Sequence, residues 1–141
     1  MKSYVETYGF IMWAAALVAT AGSLFFSEVL GYEPCEFCWY QRILMYPLVI
    51  VHGVSLWKKN LDIALPGLFL SGGGILVSLY HYGMQKVPSL SDGGACGVVP
   101  CSGQYINYFG FITIPFLAGT AFIIIFTIHM ILIRKKRSLE S

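Results

Sequence analysis

Residues 33–59 read EPCEFCWYQRILMYPLVIVHGVSLWKK. The stretch opens on Pro34 and a C-x-x-C pair, Cys35 and Cys38. It continues through an apolar segment over about 37–57, with Gln41 and Arg42 near its start, and ends on Lys58 and Lys59. A bilayer core takes about 20 apolar residues per helix. The stretch therefore reads as a membrane helix with thiols at one end and lysines at the other. Three more segments qualify by the same measure, over about 8–30, 63–82 and 109–133. Backbone polar groups must be paired within the hydrocarbon, so helices are expected. The predicted fold is an all-α membrane protein, a single four-transmembrane-helix bundle over 1–141 with outer loops near 31–36 and 83–108.

Composition agrees. Of 141 residues, 57% are hydrophobic and 11% charged, against roughly 25% charged in a soluble domain. The mean hydropathy is +0.70. Such a chain is not disordered, and it lacks the polar surface to wrap a soluble globular core. A net charge of +2 with no broad basic patch argues against nucleic-acid binding.

Charge sets the expected orientation. Lys2 precedes the first span, Lys58 and Lys59 fill the turn after the second, and Arg134, Lys135, Lys136 and Arg137 follow the fourth. With four spans these seven of the nine basic residues share one face, and Arg42 and Lys86 fall on the other. The positive-inside rule makes the seven-residue face, and both termini, cytoplasmic. An A-x-A site at Ala19-Thr20-Ala21 resembles a signal-peptide cleavage site, but the apolar run continues through Phe26 and Glu6 sits beside a single Lys2, so the first span is expected to stay. Gly72, Gly73 and Gly74 are expected to allow close helix packing, and Pro115 to kink the fourth span. The tail from Arg134 reads as a stop-transfer anchor.

Both cysteine pairs, Cys35/Cys38 and Cys96/Cys101, then lie on the outer face, where disulfides persist. Pro34 suits a helix start, which puts Cys35 and Cys38 in a first turn whose free N–H groups and dipole favour a thiolate. At about 100° per residue, Cys35, Cys38, Arg42 and Met45 share one face. A guanidinium so close to lipid is a functional candidate. It could stabilise a thiolate or the charge developing on the carbonyl of a bound ring; its bland role is a snorkelling anchor. A bridge across one helical turn adds little structural constraint, so a redox role is expected for the pair. All four thiolates together could make a zinc site; an oxidising exterior argues against it, and no metal is expected.

The loop around the second pair reads Asp92-Gly93-Gly94-Ala95-Cys96-Gly97-Val98-Val99-Pro100-Cys101-Ser102-Gly103. Its glycines give the backbone freedom. One anchored pair and one mobile pair on the same side suggest a thiol–disulfide relay, with a structural clip as the alternative for the loop pair.

This ordered set resembles the DsbB family of membrane disulfide-bond oxidases, in particular its small BdbC-type members. The resemblance covers nearly the whole chain: four spans, C-x-x-C opening the second, an Arg four residues on, and a Cys pair in the second outer loop. The DsbA–DsbB–quinone system is the known example that keeps a bacterial periplasm oxidising. The resemblance implies a disulfide-generating protein-dithiol:quinone oxidoreductase of the bacterial plasma (inner) membrane. It would reoxidise an extracytoplasmic DsbA/BdbD-like thioredoxin-fold dithiol oxidase and pass two electrons to ubiquinone or menaquinone. By the same resemblance Cys38 attacks the quinone, Arg42 is the quinone-facing cation, and Cys35 exchanges with Cys101. Cys96 joins the partner in a mixed disulfide, and His81 falls where a quinone contact is expected. Met45 shares the face of Cys38 and Arg42 and completes the quinone-facing set. His81, flanked by Tyr80 and Tyr82, also fits an interfacial anchor. His52 and His129 are read as structural, hydrogen-bonded within the bundle. One departure is plain: the loop cysteines are five positions apart, where the best-known members spread theirs farther.

Three other readings compete with it. In a vitamin-K-epoxide-reductase-like oxidoreductase the loop pair precedes the C-x-x-C; here it follows. A CcdA-type conduit needs thiols reaching both faces. A tetraspan scaffold with two structural disulfides would keep partner binding when Cys38 is replaced.

Overall fold

The computed structural model of the protein describes residues 2–87, 89 and 109–141. Four long helices make up nearly all of it. Helix α1 covers Lys2–Leu24 and runs on into a π-turn at Phe25–Val29. Helix α2 covers Glu36–Lys58. After a 3₁₀ turn at Leu61–Ala64, α3 covers Leu65–Lys86, and α4 covers Ile114–Glu140. Each helix packs mainly on two neighbours, α1 and α3 each lying between α2 and α4.

Among the described residues, three segments are long and apolar enough to cross a membrane: Ser3–Val29, Leu61–Lys86 and Ile114–Glu140. Helix α2 has 23 residues but carries Glu36, Gln41, Arg42, His52 and Lys58, and it is not among the three. Large apolar side chains nonetheless face outward, and polar ones are buried alongside the apolar core. Val18, Ile43, Ile50, Phe69, Leu76 and Ile123 are exposed, while Gln41, Arg42, His52, Ser78, His81 and His129 are buried. Bundles in lipid keep their polar side chains inward.

The ends of the bundle follow from its ion pairs. Lys59 meets Glu6 at 3.1 Å, and Lys136 meets Asp62 at 2.7 Å. The start of α1, the α2–α3 turn and the end of α4 thus share one end. Helix α2 closes there without a glycine: Lys59 takes a left-handed φ of 51°. Its N–H bonds the Leu56 carbonyl and that of Asn60 bonds the Ser55 carbonyl, which satisfies the last carbonyls of the helix. At 1.5 Å per residue, Cys35 lies roughly 35 Å away at the opposite end.

The apolar core joins Met12 and Ala16 of α1, Met45 and Leu48 of α2, and Phe122, Ile125, Ile128 and Leu132 of α4. Helix α3 comes close through Gly74, where an added Cβ would stand 2.3 Å from the Phe122 ring. The glycine run therefore permits close packing, as its sequence implies. Pro115 differs from expectation. It sits in the first turn of α4, where a missing N–H removes no helical bond, so it starts the helix and does not kink it.

The histidine reading also needs correction. His52 and His129 are both 1% exposed and their rings lie 5.0 Å apart, beside Gly67. Neither nitrogen of His52, nor Nε2 of His129, has a hydrogen-bond partner among the described residues. Sequence places both rings deep in the bundle, but the direction each nitrogen faces depends on which helix lies opposite.

Candidate functional site

The site is built where α2 begins. Cys35 is the residue just before the helix, with extended backbone (φ −73°, ψ 175°). Its carbonyl takes the first helical hydrogen bond, from Trp39 N at 3.1 Å. Pro34 thus precedes the helix by two residues; of the two thiols only Cys38 lies within the first turn, and Cys35 caps it. Their sulfurs stand 3.3 Å apart as free thiols.

The two sulfurs face different surroundings. Cys35 is buried against Met84 of α3, with Phe37 alongside, and its Sγ lies 3.6 Å from His81 Nε2. His81 Nδ1 lies 3.4 Å from the Gln41 amide nitrogen, which also donates to Ser78 Oγ at 3.3 Å. The hydrogen bond with the Cys38 side chain, and after it the one with His81, hold the Cys35 thiol well below its ordinary range, at about 4, while burial pushes the other way. Of the pair, Cys35 is thus the better-supported thiolate on the protein side.

Cys38 opens on a cavity of about 450 Å³ between α1, α2 and α4. Arg42 and Met45 line the same cavity, as do Gln41, Ala19, Ser23 and Ala118. Arg42 is buried. Its Nε donates to Ser23 Oγ at 2.9 Å and its Nη2 to the Ser23 carbonyl at 3.1 Å. The guanidinium carbon lies 5.1 Å from the centre of the Trp39 ring. Ser23 takes two of the five N–H donors a guanidinium carries, so Arg42 is tethered with donors to spare. This is not the loose, outward-reaching side chain of a snorkelling anchor.

The structure therefore divides the predicted set. Cys38, Arg42 and Met45 come together on the cavity. Cys35 and His81 come together behind it, and His81 does not line the cavity. Cys96 and Cys101 lie outside the described residues. The ligand atoms of Cys35, Cys38 and His81 stand within 4.8 Å of one another, close enough to hold a metal ion. A four-thiolate zinc site would need Cys96 and Cys101 as well, which lie outside the described residues.

Three partners were not singled out in the sequence. Gln41 had a usable signal, a neutral polar residue beside Arg42 in an apolar span. Ser23 and Ser78 had none, because serine is common in membrane helices.

Comparison with known proteins gives the chain its family. Residues 6–132 match the family model described as "Disulfide bond formation protein DsbB". A "Probable disulfide formation protein" of Oceanobacillus iheyensis is 59% identical over 128 residues, covering 89% of this chain and 88% of that one. A "Probable disulfide formation protein C" of Halalkalibacterium halodurans is 53% identical over 96% of this chain and all of the relative. "Disulfide bond formation protein C" of Bacillus subtilis is 50% identical over 89% of this chain and 91% of the relative. No solved structure matches. The chain belongs to the DsbB family of membrane disulfide-bond formation proteins, and its chemistry is that of a thiol oxidoreductase.

Proposed function

We propose that this DsbB-family chain is a protein-dithiol:quinone oxidoreductase that reoxidises an extracytoplasmic thioredoxin-fold dithiol oxidase of the DsbA/BdbD kind. In this reading α2 is a fourth span, supported by the exposure of Ile43 and Ile50 and the burial of its polar residues. The end bearing Lys59 and Lys136 is cytoplasmic by the positive-inside rule, and both cysteine pairs are on the outer side of the plasma membrane.

The carrying observation is that Cys38 and Arg42 share one apolar cavity, while Cys35 turns away from it. A flat apolar ring with carbonyls suits such a cavity: apolar walls take the ring, and Arg42 offers donors to an oxygen. The electron acceptor supplies two-electron chemistry that side chains lack. We assign that role to a membrane quinone, ubiquinone or menaquinone, held by Cys38, Arg42 and Met45.

The chain's own residues carry the remainder. The partner's dithiol attacks the Cys96–Cys101 bridge and leaves oxidised. The loop thiols then reduce Cys35–Cys38 by exchange at Cys35. Cys38 delivers the electron pair at the cavity, and Arg42 stabilises the negative charge that develops there. His81 acts on Cys35, behind the cavity.

The test is anaerobic quinone reduction by purified protein, driven by a reduced thioredoxin-fold dithiol. Quinol formation matched one-to-one by partner disulfide, and abolished by Cys38→Ser in a folded protein, is the expected result. Partner oxidation with no quinol formed would overturn the assignment.

A further inference from the structure

Gln41 and Ser78 are buried polar residues to which the relay gives no task. An amide nitrogen carries two hydrogens and accepts nothing. The Gln41 nitrogen has two neighbours at hydrogen-bond distance, Ser78 Oγ at 3.3 Å and His81 Nδ1 at 3.4 Å. Both must accept. A neutral imidazole whose Nδ1 accepts carries its hydrogen on Nε2, and Nε2 is the atom 3.6 Å from Cys35 Sγ. The opposite amide orientation would demand the opposite tautomer, with Nδ1–H donating to Gln41 and Nε2 accepting from a Cys35 thiol.

We propose that Gln41, anchored by Ser78, is a positioning residue that fixes His81 in the tautomer presenting Nε2–H to Cys35. The consequence falls on one step of the relay, and to that extent it rests on the function proposed above. When one loop thiolate attacks the other loop sulfur in the disulfide joining the loop to Cys35, an S–S bond forms within the loop. The bond to Cys35 breaks, and the electron pair leaves on Cys35 Sγ. The His81 N–H meets that charge without transferring a proton. A donor fixed before the charge appears needs no reorganisation when it does.

The tautomer can be read directly. In reduced full-length protein, with ¹⁵N-labelled histidine in detergent micelles, His81 is expected to show a protonated Nε2 and an unprotonated Nδ1. The reverse pattern overturns the proposal, and this measurement needs no variant to fold. Gln41→Leu should erase that preference. It should also move the pH midpoint of Cys35 alkylation by iodoacetamide upward by about one to two units, the scale of one hydrogen bond to a charged group, with the site read by mass spectrometry in a Cys96→Ser/Cys101→Ser background. Ser78→Ala should move it less, in the same direction. An unchanged Cys35 midpoint in a helical, folded Gln41→Leu protein also overturns it. Loss of quinone reduction in the earlier assay with the tautomer intact would count against the quinone role and leave this one standing.

Discussion

Arg42 grips Ser23 twice, through Nε to the hydroxyl and Nη2 to the carbonyl, and so ties α2 to the last full turn of α1 at the edge of the Cys38 cavity. The fork uses both the direction and the charge of the guanidinium. The guanidinium also lies over the Trp39 ring. In the function proposed above, the cation would stand where an incoming group develops negative charge, the arrangement that makes electrostatic stabilisation effective.

Arg42→Met should therefore slow quinone reduction by about ten- to a hundredfold, the equivalent of one hydrogen bond to a charged group. Oxidation of the partner by pre-oxidised protein should change far less. Arg42→Lys should not restore the rate, because an ammonium cannot reproduce the fork. Stopped-flow measurement of the two half-reactions separates the effects. Equal quinone kinetics in wild type and Arg42→Met would remove Arg42 from the mechanism.

The low Cys35 value carries a sign for stability. The hydrogen bonds from Cys38 and His81 hold the Cys35 thiol well below its ordinary value of 9.0, at about 4, so the reduced protein is expected to carry Cys35 as a thiolate at neutral pH. A group whose value is depressed on folding contributes fully above the unfolded value; the contribution declines as pH falls and is gone below the folded value. Between pH 9 and pH 4, reduced wild type should lose thermal stability faster than reduced Cys35→Ser. Parallel melting curves across that window would show that Cys35 is an ordinary thiol.

Gly74→Val should destabilise the bundle, by about 1–3 kcal/mol for overpacking, because the new carbons meet the Phe122 ring. Pairing it with Phe122→Leu should recover part of the loss. Thermal unfolding in detergent, followed by far-ultraviolet circular dichroism, reports both. Gly22→Ala, with nothing within 4 Å of its added carbon, is the control expected to change little.

Cys101→Ser should trap the partner in a mixed disulfide through Cys96. Recovery of the adduct at Cys35 would reverse the proposed relay order. In intact cells, reduced Cys96 and Cys101 should react with a membrane-impermeant maleimide. Labelling of either loop cysteine only after cell lysis would refute the outward placement of the site.

Much of this was legible in the chain itself. Apolar segment lengths and the placement of Lys58, Lys59 and Arg134–Arg137 marked out four helices and the end their charges share, because hydropathy and charge are properties of composition. C-x-x-C followed by Arg42 marked the candidate site: helical spacing put Cys35, Cys38, Arg42 and Met45 on one face, and the last three line one cavity. What lay across from that face was not readable. Ser23 reaches Arg42 from α1, and His81 and Ser78 reach Cys35 and Gln41 from α3, at sequence separations of 19 to 46 residues. Those contacts depend on how four helices rotate against one another. That rotation is settled by packing, as when the Phe122 ring fills the space beside Gly74. Only the assembled bundle could therefore turn Cys35 away from Cys38's cavity, and leave His52 and His129 side by side.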